Sequence, residues 1–410
     1  MFQRAALVAS VLAPLCSAAA GAQATIITID EAVSLALARH PGVSAADAEV
    51  AIAHGERVGA RAFAFNPSVT SSVGPATGLD TSLTRFQFGL SQSLELGGKR
   101  TWRRRGADYR VLAAQSRRDR QRALVAWNAR RAFLLALIAR DRLATAIEAD
   151  SVGQALRSAA VDRLALGAGT QLELNVATAA HARDRRVRFD AERQLASALF
   201  ELGGAIGARA GDSIEPRGDV PRFAATSGAV DSLVTLAVRQ RPDFAATRAD
   251  RNSALSGVRY AQALVWPNPE LGISTGREED FRVTQFSVSL PFPLWNRSRG
   301  EVAVALASSD RARVAEDSAR RALEFEVRDA HQAFLKAVAS REAFDAEVIE
   351  RLAENLTLAD ESFRAGKISL YVFNTIRRDL VDARLAYLDA LAETVERRYA
   401  LALAVGEPWE

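Results

Sequence analysis

Few residues of this 410-residue chain have the types and spacing that chemistry at a site requires. The four histidines, His40, His54, His181 and His331, are far apart, with no H-x-x-x-H pair and no cysteine partner, so they do not spell a metal site. Gly97-Gly98-Lys99-Arg100 lacks the spacing of a phosphate-cradling loop. Asp379, Asp382 and Asp389 recur at helical spacing and read as a solvated face, not as a positioned acid and base. No nucleophile, base and orienting acid form a recognisable set. The chain is therefore read as a non-enzyme without cofactor or metal, and its chemistry as that of surfaces.

Two alternating segments carry that surface chemistry. Phe86, Phe88, Leu90, Leu94 and Leu96 share one face of a strand whose other face holds Arg85, Gln87, Ser91, Ser93 and Glu95. Phe286, Val288, Leu290, Phe292 and Leu294 repeat it opposite Gln285, Ser287 and Ser289. A strand between lipid and a wet lumen needs this period of two, although a half-buried sheet in a soluble domain uses it as well. Trp102, Trp266, Trp295 and Phe65 fall where these strands meet helices, the place of an aromatic belt at a bilayer interface.

Export is written at the start. Met1 and Arg4, the apolar run Ala5 to Leu15 and the small residues ending at Ala22-Gln23-Ala24 have the form of a secretory signal over residues 1–24. The one cysteine, Cys16, lies inside it, and Leu15 stands where a lipobox takes a small residue. Cleavage after Ala24 leaves a chain without thiols, which excludes disulfides. No later stretch approaches the length of apolar sequence a spanning helix needs, so any membrane entry must be made by strands in a closed barrel.

The elements that position the strands come twice, about 200 residues apart. Asp30 to Pro41 returns as Asp231 to Pro242, Asn66-Pro67 as Asn268-Pro269, Gly167 as Gly366 and Asn175 as Asn374. The spacing predicts a first repeat over 25–204, a connector over 205–230 and a second repeat over 231–410. In the first, helices over 30–39 and 43–63 lead to strands over 68–74 and 82–96, joined by a polar loop with Gly78 and Asp80. A helix over 99–166 then turns at Gly167-Ala168-Gly169 into a helix over 170–202, which Thr170 and Glu173 start with capping-box spacing. The second repeat predicts helices over 231–239 and 244–265, strands over 270–275 and 281–294, and one helix over 297–365. Gly366 breaks it, and Ser369 caps a last helix to about Val405.

In that last helix Phe373, Ile376, Leu380, Ala383, Tyr387 and Ala390 step by three and four, and Val381, Leu385, Leu388, Ala392, Val395 and Tyr399 form a second row. Two rows suit a helix with a neighbour on each side, as in the wall of a cylinder; one broad face in an ordinary bundle is the alternative. The net charge is +4, and the arginines are interspersed with Asp and Glu along helical faces, so no nucleic-acid partner is expected. Two hairpins supply four strands, too few to close a barrel, which calls for further copies of the chain.

These residues resemble the TolC family of outer membrane efflux channels over essentially the whole mature chain. Leu94 to Arg100 and Leu290 to Gly300 look most like the branch that works with heavy-metal cation pumps. The resemblance implies a mostly α fold with a small β part: a long helical coiled-coil barrel joined to a transmembrane β-barrel completed by trimerisation, four strands per protomer. It implies an outer membrane protein with a periplasmic helical portion, and as partners two further copies, outer membrane lipid, a periplasmic adaptor and an inner-membrane pump. The adaptor-docking tips would be Arg163, Leu164, Gly167 and Thr170, with Arg364, Gly366 and Ser369. The lipid-facing residues would be Phe86, Phe88, Leu90, Phe286, Val288 and Leu290, and the interface aromatics Trp102, Trp266 and Trp295. Where relatives carry acidic residues near the tunnel mouth, this chain has Asn374, Arg377 and Arg378 before Asp379. The same architecture also serves type I protein secretion, and a soluble periplasmic coiled-coil scaffold is the reading outside transport.

Overall fold

The computed structural model describes residues 25–77, 82–209, 211–224, 229–278, 281–344 and 346–408. The signal segment with Cys16, and the loop with Gly78 and Asp80, lie outside the described residues. The chain runs β1 (Thr25–Ile27), α1 (Ile29–Arg39), α2 (Pro41–Arg61), β2 (Ser68–Thr77), β3 (Ser82–Ser93), α3 (Lys99–Ala165) and α4 (Gln171–Ile206). It continues with β4 (Ile214–Pro216), α5 (Val230–Gln240), α6 (Pro242–Ala263), β5 (Glu270–Glu278), β6 (Phe281–Ser289), α7 (Arg299–Glu342), α8 (Ala346–Arg364) and α9 (Leu370–Val405).

Local chemistry sets the corners. Thr28 and Glu31 close a capping box on α1. Pro41 and Pro242 begin α2 and α6, where the missing N–H costs nothing, and the residues before them, His40 and Arg241, are extended as a following proline demands. α3 is 67 residues long, so it reaches about 100 Å at 1.5 Å per residue. Small residues such as Ala126, Ala129, Ala132 and Ala136 on its buried face let neighbouring backbones come close.

The largest core gathers Phe133, Leu134 and Leu137 of α3 with Leu202 and Ile206 of α4 and Val395, Tyr399 and Ala402 of α9. A second forms from Phe244, Leu323, Val327, Phe334, Val338, Leu401 and Val405. α9 packs on α3 and also on α7 and α8, and every residue of its two expected apolar rows is buried or half-buried. That is the two-sided helix of a wall.

Three differences from the sequence reading stand out. The helix expected over 297–365 is two helices, α7 and α8, and the break opens a cavity of about 720 Å³ lined by Val220, Phe344, Tyr387 and Leu391. Arg341 next to the break donates to the Phe223 carbonyl at 2.9 Å, a tertiary bond invisible to helical propensity. The strands expected to run to Leu96 and Leu294 end at Ser93 and Ser289. Finally, the connector is not wholly irregular: β4 pairs in parallel with β1, Ile26 opposite Glu215, tying the start of the chain to its middle.

Candidate functional site

The four long strands form one antiparallel sheet in the order β2-β3-β5-β6. Opposed residues share a face, so the register sorts the sheet row by row. One row is Val69, Leu90, Ile273 and Phe286, another Ser71, Phe88, Thr275 and Thr284, and Leu271 stands opposite Val288. The alternate rows are Ser68, Ser91, Gly272 and Ser287, then Thr70, Gly89, Ser274 and Gln285. One face thus carries the large apolar side chains Val69, Phe86, Phe88, Leu90, Leu271, Ile273, Phe286 and Val288, interspersed with Ser71, Thr275 and Thr284 and ending in Arg277, opposite Phe86, and Arg282, and the other is mostly small and polar. Phe86, Phe88, Leu90, Phe286 and Val288 all stand exposed on the apolar face. Leu290 is exposed too, but it follows the end of β6 and so lies outside the sheet. Strands of 9 to 12 residues match the roughly 9–11 that a tilted strand needs to cross a bilayer.

At the end of the sheet the chain turns into helices through a built joint. Gly97 and Gly98 have φ of 73° and 76°, and a Cβ on Gly97 would lie 2.6 Å from the Trp266 ring, so the aromatic closes directly on the backbone. Lys99 is 4% exposed, and its ammonium donates to the Trp266 carbonyl and to Asn268 Oδ1, each at 2.6 Å. Arg103 adds a bidentate contact to Glu95, at 2.5 and 3.0 Å. Trp102 is half-buried in the first turn of α3, while Trp266 and Trp295 are exposed, the latter at 92%. Trp266 thus lies against Gly97 and Trp102 near Gly98, while Trp295 stands between β6 and α7. The part played by Lys99 was missed by sequence reasoning; its signal was a lone lysine after a Gly-Gly step in an arginine-rich chain.

At the far end both helical hairpins turn by the same device. Gly167 takes φ of 70° and Gly366 φ of 69°. Gly167 N donates to Leu164 O at 3.0 Å and Ala168 N to Arg163 O at 2.8 Å. Gly366 N donates to Phe363 O at 2.9 Å and Lys367 N to Ser362 O at 2.8 Å, so each turn is a Schellman motif. Thr170 closes a capping box with Glu173, and Ser369 accepts from Val372 N at 3.4 Å. Leu164 is half-buried, and no atom stands within 4 Å of a Cβ built on either glycine. The arginines grouped with these tips are not equivalent: Arg163 lies four residues before its glycine and donates to the Ala168 carbonyl, whereas Arg364 lies two before and pairs with Asp360. Leu370 joins Ala160 and Ala177 in a small core, so the two tips touch.

Charge is buried between the helices. Arg377 donates to Asp184 Oδ2 at 2.5 Å and to the Ala149 carbonyl at 3.0 Å. Burial pushes the Asp184 carboxyl above its ordinary value, against the opposing hydrogen bond and charge of Arg377. Asn374 and Arg377, which the comparison with relatives set near the tunnel mouth, are both buried among helices of the same chain, and Arg378 alone of the three is exposed. In the other half, Arg241 is 6% exposed and bridges Asp243 and Glu326. Burial pushes Asp243 up, but the hydrogen bond and charge of Arg241, with the charge of Arg120, prevail and hold it below its ordinary value. Of the histidines, His40 Nδ1 accepts from Gly42 N at 3.0 Å, His331 is in the core, and His181 Nε2 lies 3.2 Å from Asp150 Oδ1. Among the described residues no group of three or more His, Cys, Asp or Glu is placed to hold a metal ion.

Among the described residues the sheet leaves the outer edges of β2 and β6 unpaired, and long helical hairpins continue it. The chain belongs to the outer membrane efflux protein family, whose sequence profile matches residues 32–208 and again 233–407. It is 26% identical over 376 residues to the cobalt-zinc-cadmium resistance protein CzcC of Cupriavidus metallidurans, across 90% of this chain and 88% of the relative. A membrane protein from Pseudomonas aeruginosa shares the fold with a TM-score of 0.77 at 19% identity, over 92% of this chain and 93% of that one. CusC, which forms a transmembrane channel, shares it with a TM-score of 0.74 at 19% identity, over 93% and 92%. The fold class is therefore the one the sequence implied, mostly helical with a small β part and an internal repeat.

Proposed function

We propose that this protein is the exit duct of a tripartite efflux system, a homotrimer standing in the outer membrane with its helices in the periplasm. The observation that carries the reading is the sheet itself. Its more apolar face suits lipid and its polar face a wet lumen, while among the described residues β2 and β6 each leave an edge unpaired. Three copies joined β6 to β2 remove every edge. The same closure sets α4 of one copy against α7 and α8 of the next, and these helices expose Phe189, Phe200, Val314 and Phe325 in the single chain. Phe86, Phe88, Leu90, Phe286 and Val288 then meet acyl chains, and Trp102, Trp266 and Trp295 mark the inner interface.

The tips meet a periplasmic adaptor, and the glycine turns at Gly167 and Gly366 allow a partner helix to approach the backbone closely. The inner-membrane pump supplies energy and selects cargo, and the duct is passive. Divalent transition-metal cations are the cargo favoured by the likeness to a cobalt-zinc-cadmium resistance protein. Extraction from outer membranes in mild detergent, followed by native mass and single-channel conductance in a planar bilayer, tests the duct. A conducting trimer is expected; a water-soluble, non-conducting monomer or dimer overturns it. Loss of zinc, cobalt and cadmium tolerance on deleting the gene, restored by the intact gene, tests the cargo.

A further inference from the structure

Of the two Asn-Pro steps, Asn268-Pro269 of the second repeat is held by Lys99, whereas among the described residues Asn66-Pro67 of the first has no such partner. Asn268 receives Lys99, the first residue of α3, and Lys99 also takes the carbonyl of Trp266, two residues before Asn268. This contact joins repeat one to repeat two inside the protomer. In the second repeat the matching helix is α7. Its first residue is Arg299, and the preceding Ser298 has φ of 54°, the left-handed conformation that Gly98 adopts before Lys99. Among the described residues Ser298 is the only non-glycine with positive φ, so the chain accepts strain to start α7 as it starts α3. The first bonds agree as well: Trp102 N donates to Gly98 O, and Val302 N to Ser298 O.

The receiving half is also repeated. Six residues separate α2 from β2, and six separate α6 from β5, with Asn66-Pro67 and Asn268-Pro269 at the same place in each. The acceptors that match the Trp266 carbonyl and the Asn268 amide are the Ala64 carbonyl and the Asn66 amide. Ala64, Asn66 and Arg299 are exposed, and among the described residues none of these groups has a hydrogen-bond partner within the chain. Asn66 is two residues before β2 and Arg299 ten beyond the end of β6, the two strands whose outer edges are unpaired among the described residues.

We infer that Arg299 of one protomer docks on the Ala64 carbonyl and the Asn66 side-chain oxygen of the next copy, repeating between subunits the joint that Lys99 makes within one. The linker before α7 is longer than that before α3, residues 290–298 against 94–98, and holds Pro291, Pro293 and Trp295. Arginine suits this wider joint, because its guanidinium reaches further than an ammonium and offers two acceptors a planar fork. Desolvated between copies, such a bond is charge-assisted and fixes the rotation of each protomer against its neighbour. The inference rests on the trimeric reading above and adds the contact that sets its register.

The test pairs Asn66→Cys with Arg299→Cys in the full chain, treated in outer membranes with a short bismaleimide. A ladder of dimer and trimer on denaturing gels is expected, absent from either single variant. Lys99→Cys with Asn268→Cys serves as the reference: it links within one chain, stays monomeric on the gel and yields a cross-linked peptide by mass spectrometry. Arg299→Ala should also lower the temperature at which the detergent trimer dissociates, and Arg299→Lys, shorter and without the planar fork, should restore only part of it. No ladder from the first pair, with the reference pair reacting and native mass still showing trimers, overturns the contact alone. Absence of trimers in the unsubstituted protein overturns the trimeric reading beneath it.

Discussion

The guanidinium of Arg377 and the carboxylate of Asp184 meet at 2.5 Å between α9 and α4, both largely out of solvent, and Arg377 also holds the Ala149 carbonyl of α3. One side chain thus ties three helices of the hairpin wall. Removing one member of such a pair leaves the other buried and uncompensated, whereas replacing both with apolar groups is far better tolerated. Arg377→Met should therefore cost about 3–5 kcal/mol, while Arg377→Met with Asp184→Leu should recover most of that. Thermal unfolding of the detergent trimer, followed by circular dichroism, measures both.

Acid should act on the two halves with opposite sign. Asp184 has a raised folded pKa, so its ionisation at neutral pH opposes folding, and the opposition is relieved as pH falls through that raised value. Asp243 has a lowered folded pKa, so its contribution is complete above the ordinary aspartate value of about 3.9 and is lost as pH falls through the lowered one. Asp184→Asn should accordingly make melting temperature fall more steeply on mild acidification. Asp243→Asn should flatten the fall below about pH 4. Melting temperature against pH for the three proteins separates the two contributions; slopes unchanged by both substitutions would contradict them.

The lipid-facing assignment is tested at Phe88, near the middle of the strands, and at Val288, near their helix-proximal end. Phe88 stands in the row Ser71, Phe88, Thr275, Thr284, and Val288 opposite Leu271, both exposed on the same face. An arginine near the bilayer midplane costs about 2–4 kcal/mol, and the cost fades toward the interfaces. Phe88→Arg and Val288→Arg should each reduce the trimer recovered from outer membranes, and Ser274→Arg, on the polar face, should leave recovery nearer normal. Equal yields from all three would mean that the band does not face lipid.

Much of this was legible because it is written locally. A capping box announces Thr170, a left-handed turn announces Gly167 and Gly366, and period-two alternation announces the sheet. What stayed hidden is tertiary. Nothing in Arg341-Glu342-Ala343-Phe344 disfavours a helix, and the break there is accompanied by a bond from Arg341 to Phe223, distant in sequence. The strands β1 and β4 are too short for any period and exist only through each other. Asn374 and Arg377 have the polarity of a lumen but are buried among helices, because Asp184 and the Ala149 carbonyl offer Arg377 partners that only the folded hairpins bring near. Arg163 and Arg364 look paired by type, yet their different distances from the turning glycine give them different work.

The tips allow bulk to be separated from backbone strain. Gly167 and Gly366 both need positive φ, and both have open space where a Cβ would stand. Leucine adds bulk but also about 1–2 kcal/mol of left-handed strain per site, whereas asparagine adds bulk and tolerates that conformation. Gly167→Asn with Gly366→Asn should therefore leave the turns, trimer yield and single-channel conductance unchanged. If the adaptor reads the bare backbone at these turns, export in cells should fall by an order of magnitude or more, about the effect of losing 1.4 kcal/mol of docking. Gly167→Leu with Gly366→Leu should abolish export while trimers still assemble. Cation tolerance and adaptor co-purification, measured in the same strains, decide the matter: normal values in the leucine variants would place the adaptor contact away from both turns.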